Sequence, residues 1–84
     1  MGRTSGFTIA WPVRIPVEDG RTFLVEQTDD GVLRVSVEGS GEWRSIDPLV
    51  YGAGVPSEGA VVGRTLRWWR ETTGEAVIIG GARG

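Results

Sequence analysis

From Phe7 to Val17 every odd position is large and apolar (Phe7, Ile9, Trp11, Val13, Ile15, Val17), while Pro12, Arg14 and Pro16 fall on the even ones. A period of two is that of a half-buried β-strand. The prolines share a parity, so both missing N–H donors point at the same neighbouring edge and the odd-numbered donors are intact. The pattern predicts an edge strand whose free side is blunted against strand addition along Pro12 to Pro16.

Two Asp-Gly turns follow, at Asp19-Gly20 and Asp29-Asp30-Gly31, each between strand-like runs. A two-residue loop at Asp19-Gly20 would set Val17 against Thr22 and send Phe23 and Val25 to the face of Arg14. A three-residue loop with Gly20 in the left-handed conformation sets Val17 against Arg21, Ile15 against Phe23 and Val13 against Val25. The same loop form at Asp29-Asp30-Gly31 pairs Thr28 with Val32, Gln27 with Leu33, Val25 with Val35 and Phe23 with Val37. One face of a three-stranded meander then carries Ile15, Val13, Phe23, Val25, Leu33, Val35 and Val37. A slip of one residue would send the whole set to water, so burial fixes the register.

Beyond Gly39-Ser40-Gly41, the run EWRSI reads as a short strand anchored by Trp43, stopped by Asp47-Pro48. LVYGAG reads as another brief strand. AVVGRTLRWWRE, Thr72-Thr73-Gly74 and EAVIIGG read as a hairpin pairing Trp69 with Val77, Trp68 with Ile78 and Arg67 with Ile79. A helix is the rival reading there: Ser57 can cap it, Val62, Leu66 and Trp69 fall at helical spacing, and Gly74 can end it. Val61, Val62 and Thr65 favour the strand, and Gly59 and Gly63 would each cost a helix about 1 kcal/mol. The expected fold class is all-β, a small antiparallel barrel or two-layer sandwich of five to seven short strands. It begins with the meander, with a single helix near 57–73 as the alternative. Residues 7–80 form one domain between flexible ends at 1–6 and 81–84. The expected core is Phe7, Ile9, Trp11, Val13, Ile15, Phe23, Val25, Leu33, Val35, Val37, Trp43, Leu66, Trp68 and Ile78.

Composition narrows the chemistry. The chain has 84 residues, no cysteine and no histidine, and its nine basic residues are all arginine. Disulfides, zinc, Ser-His-Asp and Cys-His catalysis, and lysine-based covalent chemistry are therefore excluded. Carboxylates and hydroxyls could hold Mg²⁺ or Ca²⁺, but Asp29-Asp30 reads as turn chemistry and Glu71 and Glu75 only flank a turn. Gly52-Ala53-Gly54 has two glycines of a dinucleotide fingerprint and lacks the third. No cofactor, metal or catalytic residue is expected. Net charge is −2, which argues against a phosphate-backbone binder. No apolar run approaches the ~20 residues of a membrane span, and the chain reads as soluble and cytoplasmic.

One surface constellation remains. On the expected hairpin, Arg67, Trp69, Val77 and Ile79 share an outward face beside Arg70. Tryptophan and arginine dominate protein interfaces. The sequence reading is a non-enzymatic interaction module, binding another protein or itself through Arg67, Trp69, Arg70, Val77 and Ile79. The alternative is a small-ligand (sugar) or single-stranded nucleic-acid binder stacking on an exposed Trp69.

Overall fold

The first two turns close as the apolar pattern requires. The Val17 N–H donates to the Arg21 carbonyl and the Thr28 N–H to the Val32 carbonyl, both at 2.9 Å. Gly20 and Gly31 adopt φ of 100° and 87°, the left-handed conformation that a three-residue loop of this kind asks of its third residue. Strands β1 (Val13–Pro16), β2 (Thr22–Gln27) and β3 (Leu33–Val37) pair antiparallel. Ile15 lies opposite Phe23, Val13 opposite Val25 and Val25 opposite Val35. The computed structural model describes residues 9–51 and 57–80. The expectations for the two chain ends, for Phe7 and for Gly52-Ala53-Gly54 lie outside the described residues.

The all-β expectation is overturned. Among the described residues the sheet has four strands in the order β1-β2-β3-β4, with β4 at Arg44–Ser45, and it does not close. The expected hairpin over 60–79 is a helix, α2 (Glu58–Thr73), so the domain is a two-layer mixed α/β fold and not a barrel or sandwich. Its sequence signals are those of the rival reading. The Ser57 hydroxyl accepts from the Ala60 N–H at 3.2 Å, and Gly74 caps the end at φ 81° with its N–H on the Arg70 carbonyl. Val61, Thr65 and Trp68, at i, i+4 and i+7, are buried against the sheet. Two β-branched residues in this stripe yield to packing, because the apolar face of the meander has to be covered and one amphipathic helix covers it.

Three smaller expectations also change. LVYGAG begins as a four-residue helix, α1 (Pro48–Tyr51), whose Leu49 N–H bonds the Asp47 carboxylate at 2.8 Å. Trp43 is not a core anchor: β4 pairs Ser45 with Arg34 and Arg44 with Val35, so Ile46 turns inward and is buried, while Trp43 lies on the opposite face beside the Arg34 guanidinium. Ile78 is exposed, and Leu66 only packs against the rim of the core. The centre is Val13, Ile15, Val17, Phe23, Val25, Leu33, Val35, Ile46, Val61 and Trp68.

β1 is at the sheet edge, as its prolines indicate, yet part of that edge is occupied by the chain itself. Past α2, the Ile78 carbonyl accepts from the Glu18 N–H at 2.7 Å, and the Gly80 N–H donates to the Pro16 carbonyl at 2.9 Å, with Ile79 opposite Val17. Pro16 cannot donate toward this side, but it can accept, and the added segment asks nothing more of it. The edge therefore excludes most strands and admits one with this pattern. The approach is close. A Cβ on Gly80 would stand 2.6 Å from the Glu18 Cα and 2.7 Å from its nitrogen, a backbone collision that no side-chain motion relieves. Gly80→Ala will detach the segment from β1 while leaving α2 and the meander intact. The expected outcome is fast hydrogen exchange at the Glu18 amide with unchanged helical circular dichroism.

Candidate functional site

The turn between β1 and β2, the face of β2 and the end of α2 meet around one arginine. Arg21 leaves the turn and reaches Asp19, with Nε at 2.9 Å and Nη2 at 2.6 Å from Oδ2. The same Nη2 donates to Glu75 Oε2 at 2.8 Å, and the other oxygen of Glu75 accepts the indole Nε1–H of Trp69 at 2.9 Å. Trp69 packs on Phe23 with ring centroids 4.7 Å apart at 59°, a tilted arrangement worth about 1 kcal/mol beyond burial. The guanidinium of Arg21 also lies 5.7 Å from the Phe23 ring centroid. Charge, indole and benzyl ring thus form one junction between sheet and helix.

The expected binding residues are dispersed by the helix. Trp69 is half-buried in the junction, with its N–H taken by Glu75 and its ring held among Phe23, Trp68 and the Arg44 guanidinium. Arg67 and Arg70 are exposed on α2, and Arg67 Nε donates to Glu71 at 3.3 Å. Val77 and Ile79 lie beyond the helix in the segment that approaches β1; Val77 packs against the core and Ile79 is 48% exposed. The structure therefore brings Val77 and Ile79 together and separates them from Arg67 and Arg70. Strand parity groups Arg67, Trp69, Val77 and Ile79 with Arg70 beside them, and a helical period replaces that grouping.

Sequence reasoning missed Ile78. The expected hairpin turned it into the core, whereas it is 61% exposed at the margin of the domain. The next residue, Ile79, is 48% exposed on the other side of the segment, opposite Val17. A hollow of about 200 Å³ opens there between Val17, Glu18 and Asp19 on one side and Ala76, Val77 and Ile78 on the other. A second apolar exposure, Leu49 and Val50 of α1, lies beyond β4. A smaller hollow of about 90 Å³ beside Trp69 is lined by Ser36, Ser40, Glu42 and Arg44. Among the described residues no cluster of acidic side chains could hold a metal ion, and no helix is long and apolar enough to cross a membrane.

Comparison with protein families, with curated proteins and with solved structures finds no match for this chain. What its surface does has to be argued from its own residues.

The junction carries a pH dependence. The Arg21 guanidinium, bonded to both carboxylates, holds Asp19 and Glu75 below their ordinary values, with the Trp69 indole adding to the effect on Glu75. Carboxylates depressed in the folded state contribute stability that is fully present above their unfolded values near ~4 and is lost as pH falls through the folded ones. The melting temperature is expected to hold steady from neutral pH down to about 5 and to fall below about 4. In Arg21→Met that fall will be shallower, as thermal melts at a series of pH values would show.

Proposed function

We propose that this chain is a non-enzymatic interaction module that works by burying the Ile78–Ile79 margin against another polypeptide. The observation that supports it is the placement of these two isoleucines. Two large aliphatic side chains, 61% and 48% exposed, follow one another along a segment fixed by backbone hydrogen bonds to the sheet, Ile79 on the side of Val17 and Ile78 on the other. Exposed aliphatic residues scattered singly are ordinary, but two in succession on a backbone held at the sheet edge leave apolar surface on both sides of that segment, which association covers. The residue types of the chain agree, since no histidine, cysteine or lysine is available for the common catalytic roles.

The mechanism differs from one centred on a Trp69 and Arg67 patch. Trp69 serves the junction, and its contribution to binding is to hold Glu75 and thereby the start of the segment. A sugar or nucleobase stacking on Trp69 would have to displace Arg44 or Phe23 from its faces, so the polypeptide reading is the one the geometry favours.

Replacing both isoleucines by serine tests the reading. Ile78→Ser with Ile79→Ser is expected to leave the thermal melt within a few degrees of the parent and to abolish association, whether with itself or with a partner isolated by binding to the parent chain. Sedimentation and calorimetric titration read the two cases. Association that persists unchanged in the folded double variant would overturn the reading.

A further inference from the structure

Beyond α2 the chain lies along the edge of β1 through one β-bridge, Ile79 opposite Val17, and its own outer side is open. In an extended segment successive residues direct their N–H and C=O groups to alternate sides. The Ile78 carbonyl and the Gly80 N–H face β1 and are bonded to Glu18 and Pro16. The N–H and C=O groups of Val77 and Ile79 therefore face outward, and none of them has a backbone partner among the described residues.

Protein chains usually defend such an edge with proline, with charge or with a bulge. β1 ends on Pro16, whose missing N–H would point outward, and Pro12 directly precedes the strand. β4 at the opposite side is only two residues long and places Arg44 there. From Ala76 to Gly80 no residue is charged and none is proline. The nearest charge, Glu75, is held back by Arg21 and Trp69. The proline-defended edge of the sheet has thus been covered by a segment that is itself undefended.

We infer that this edge pairs with the same edge of a second copy of the chain, extending two sheets into one across a twofold axis at Ile78. The inference rests on the interaction reading above and names its partner. The donors and acceptors match themselves. With Ile78 opposite Ile78 of the second copy, Val77 of each copy faces Ile79 of the other. Each such pair exchanges two N–H···O bonds, giving four in all. An uncharged run paired with itself meets no like-charge repulsion, and the two Ile78 side chains come into contact at the axis, where cross-strand aliphatic contact stabilises a sheet. The hollow beside Val17 and Ala76 opens at the same margin and gives the approaching isoleucines a recess. A strand from an unrelated protein would satisfy the backbone but has no reason to match this register. A second copy does so by symmetry.

The test separates backbone pairing from apolar contact. Ile79→Pro removes an outward N–H while leaving the Ile78 carbonyl and the Gly80 N–H, which hold the segment to β1. Two of the four intermolecular bonds are lost, and the dimer is expected to weaken roughly thirtyfold by sedimentation equilibrium. Ile78→Lys, which keeps every backbone donor and sets two ammonium groups opposite one another at the axis, is expected to be monomeric. In the parent chain the Ile79 amide will be protected from hydrogen exchange at high concentration and exposed on dilution, while the Glu18 amide stays protected throughout. A parent chain that is monomeric at every concentration, or a folded Ile79→Pro chain that dimerises as the parent does, overturns the inference. A monomer that binds a different polypeptide and loses that binding in the double serine variant would leave the broader interaction reading standing while removing the second copy as the occupant.

Discussion

The fold depends on how Arg21 ties the end of α2 to the sheet. The helix covers the meander, but the chain beyond Gly74 must turn back to reach β1, and little apolar burial guides it there. Arg21 supplies the direction. It stands in the first turn, is oriented by Asp19, and bonds Glu75 one residue past the helix cap. Glu75 in turn holds the indole of Trp69, whose ring lies on Phe23 in the middle of β2. Exposed ion pairs contribute little by themselves. This one matters because each member is also fixed by another contact, so the side-chain ordering cost is shared among several bonds. The guanidinium makes its bonds to two carboxylates in a fixed fork, which a lysine could not reproduce.

With that junction set, the remaining geometry follows in steps. Glu75 positions Ala76 and Val77, Val77 packs against the core rim, and Ile78 and Gly80 bond the edge of β1. Gly80 is required because the backbone passes too near Glu18 for any side chain. Pro16 contributes its carbonyl alone. The result is a sheet whose original edge is covered and whose new edge turns the backbone groups of Val77 and Ile79 outward, with the Ile78 side chain exposed. The functional proposal lives on this last link, and it owes its geometry to an arginine more than fifty residues earlier in the chain.

The legible part of the fold was the part governed by parity. Gly20 and Gly31 fixed loop length, loop length fixed register, and register placed Ile15, Phe23, Val25 and Val35 on one face, all as found. The illegible part began where one residue type serves two structures. Gly74 satisfies a hairpin loop and a helix C-cap equally well, since both ask for positive φ. Val61, Val62 and Thr65 spoke for strand by propensity, and tertiary burial overrode them. Thr65 shows the cost of that choice, because its hydroxyl is fully buried with no hydrogen-bond partner. In β4 the register was open: EWRSI offers Trp43 on one parity and Ile46 on the other, and the larger residue was the wrong anchor. The helical reading carried Ser57 and the i, i+4, i+7 stripe in plain view. For the surface the consequence was larger, because exchanging a period of two for one of 3.6 scattered Arg67, Trp69 and Arg70 and brought Ile78 out beside Ile79.

The most direct measurement is residue-resolved hydrogen exchange in Glu75→Ala compared with the parent. If the Arg21, Glu75 and Trp69 junction sets the path of the chain beyond α2, the Glu18 and Gly80 amides will lose their protection while Phe23 and Val25, inside the sheet, keep theirs. Unchanged protection at Glu18 and Gly80 in that variant would contradict the account, because the segment would then find β1 without the junction that is held here to direct it.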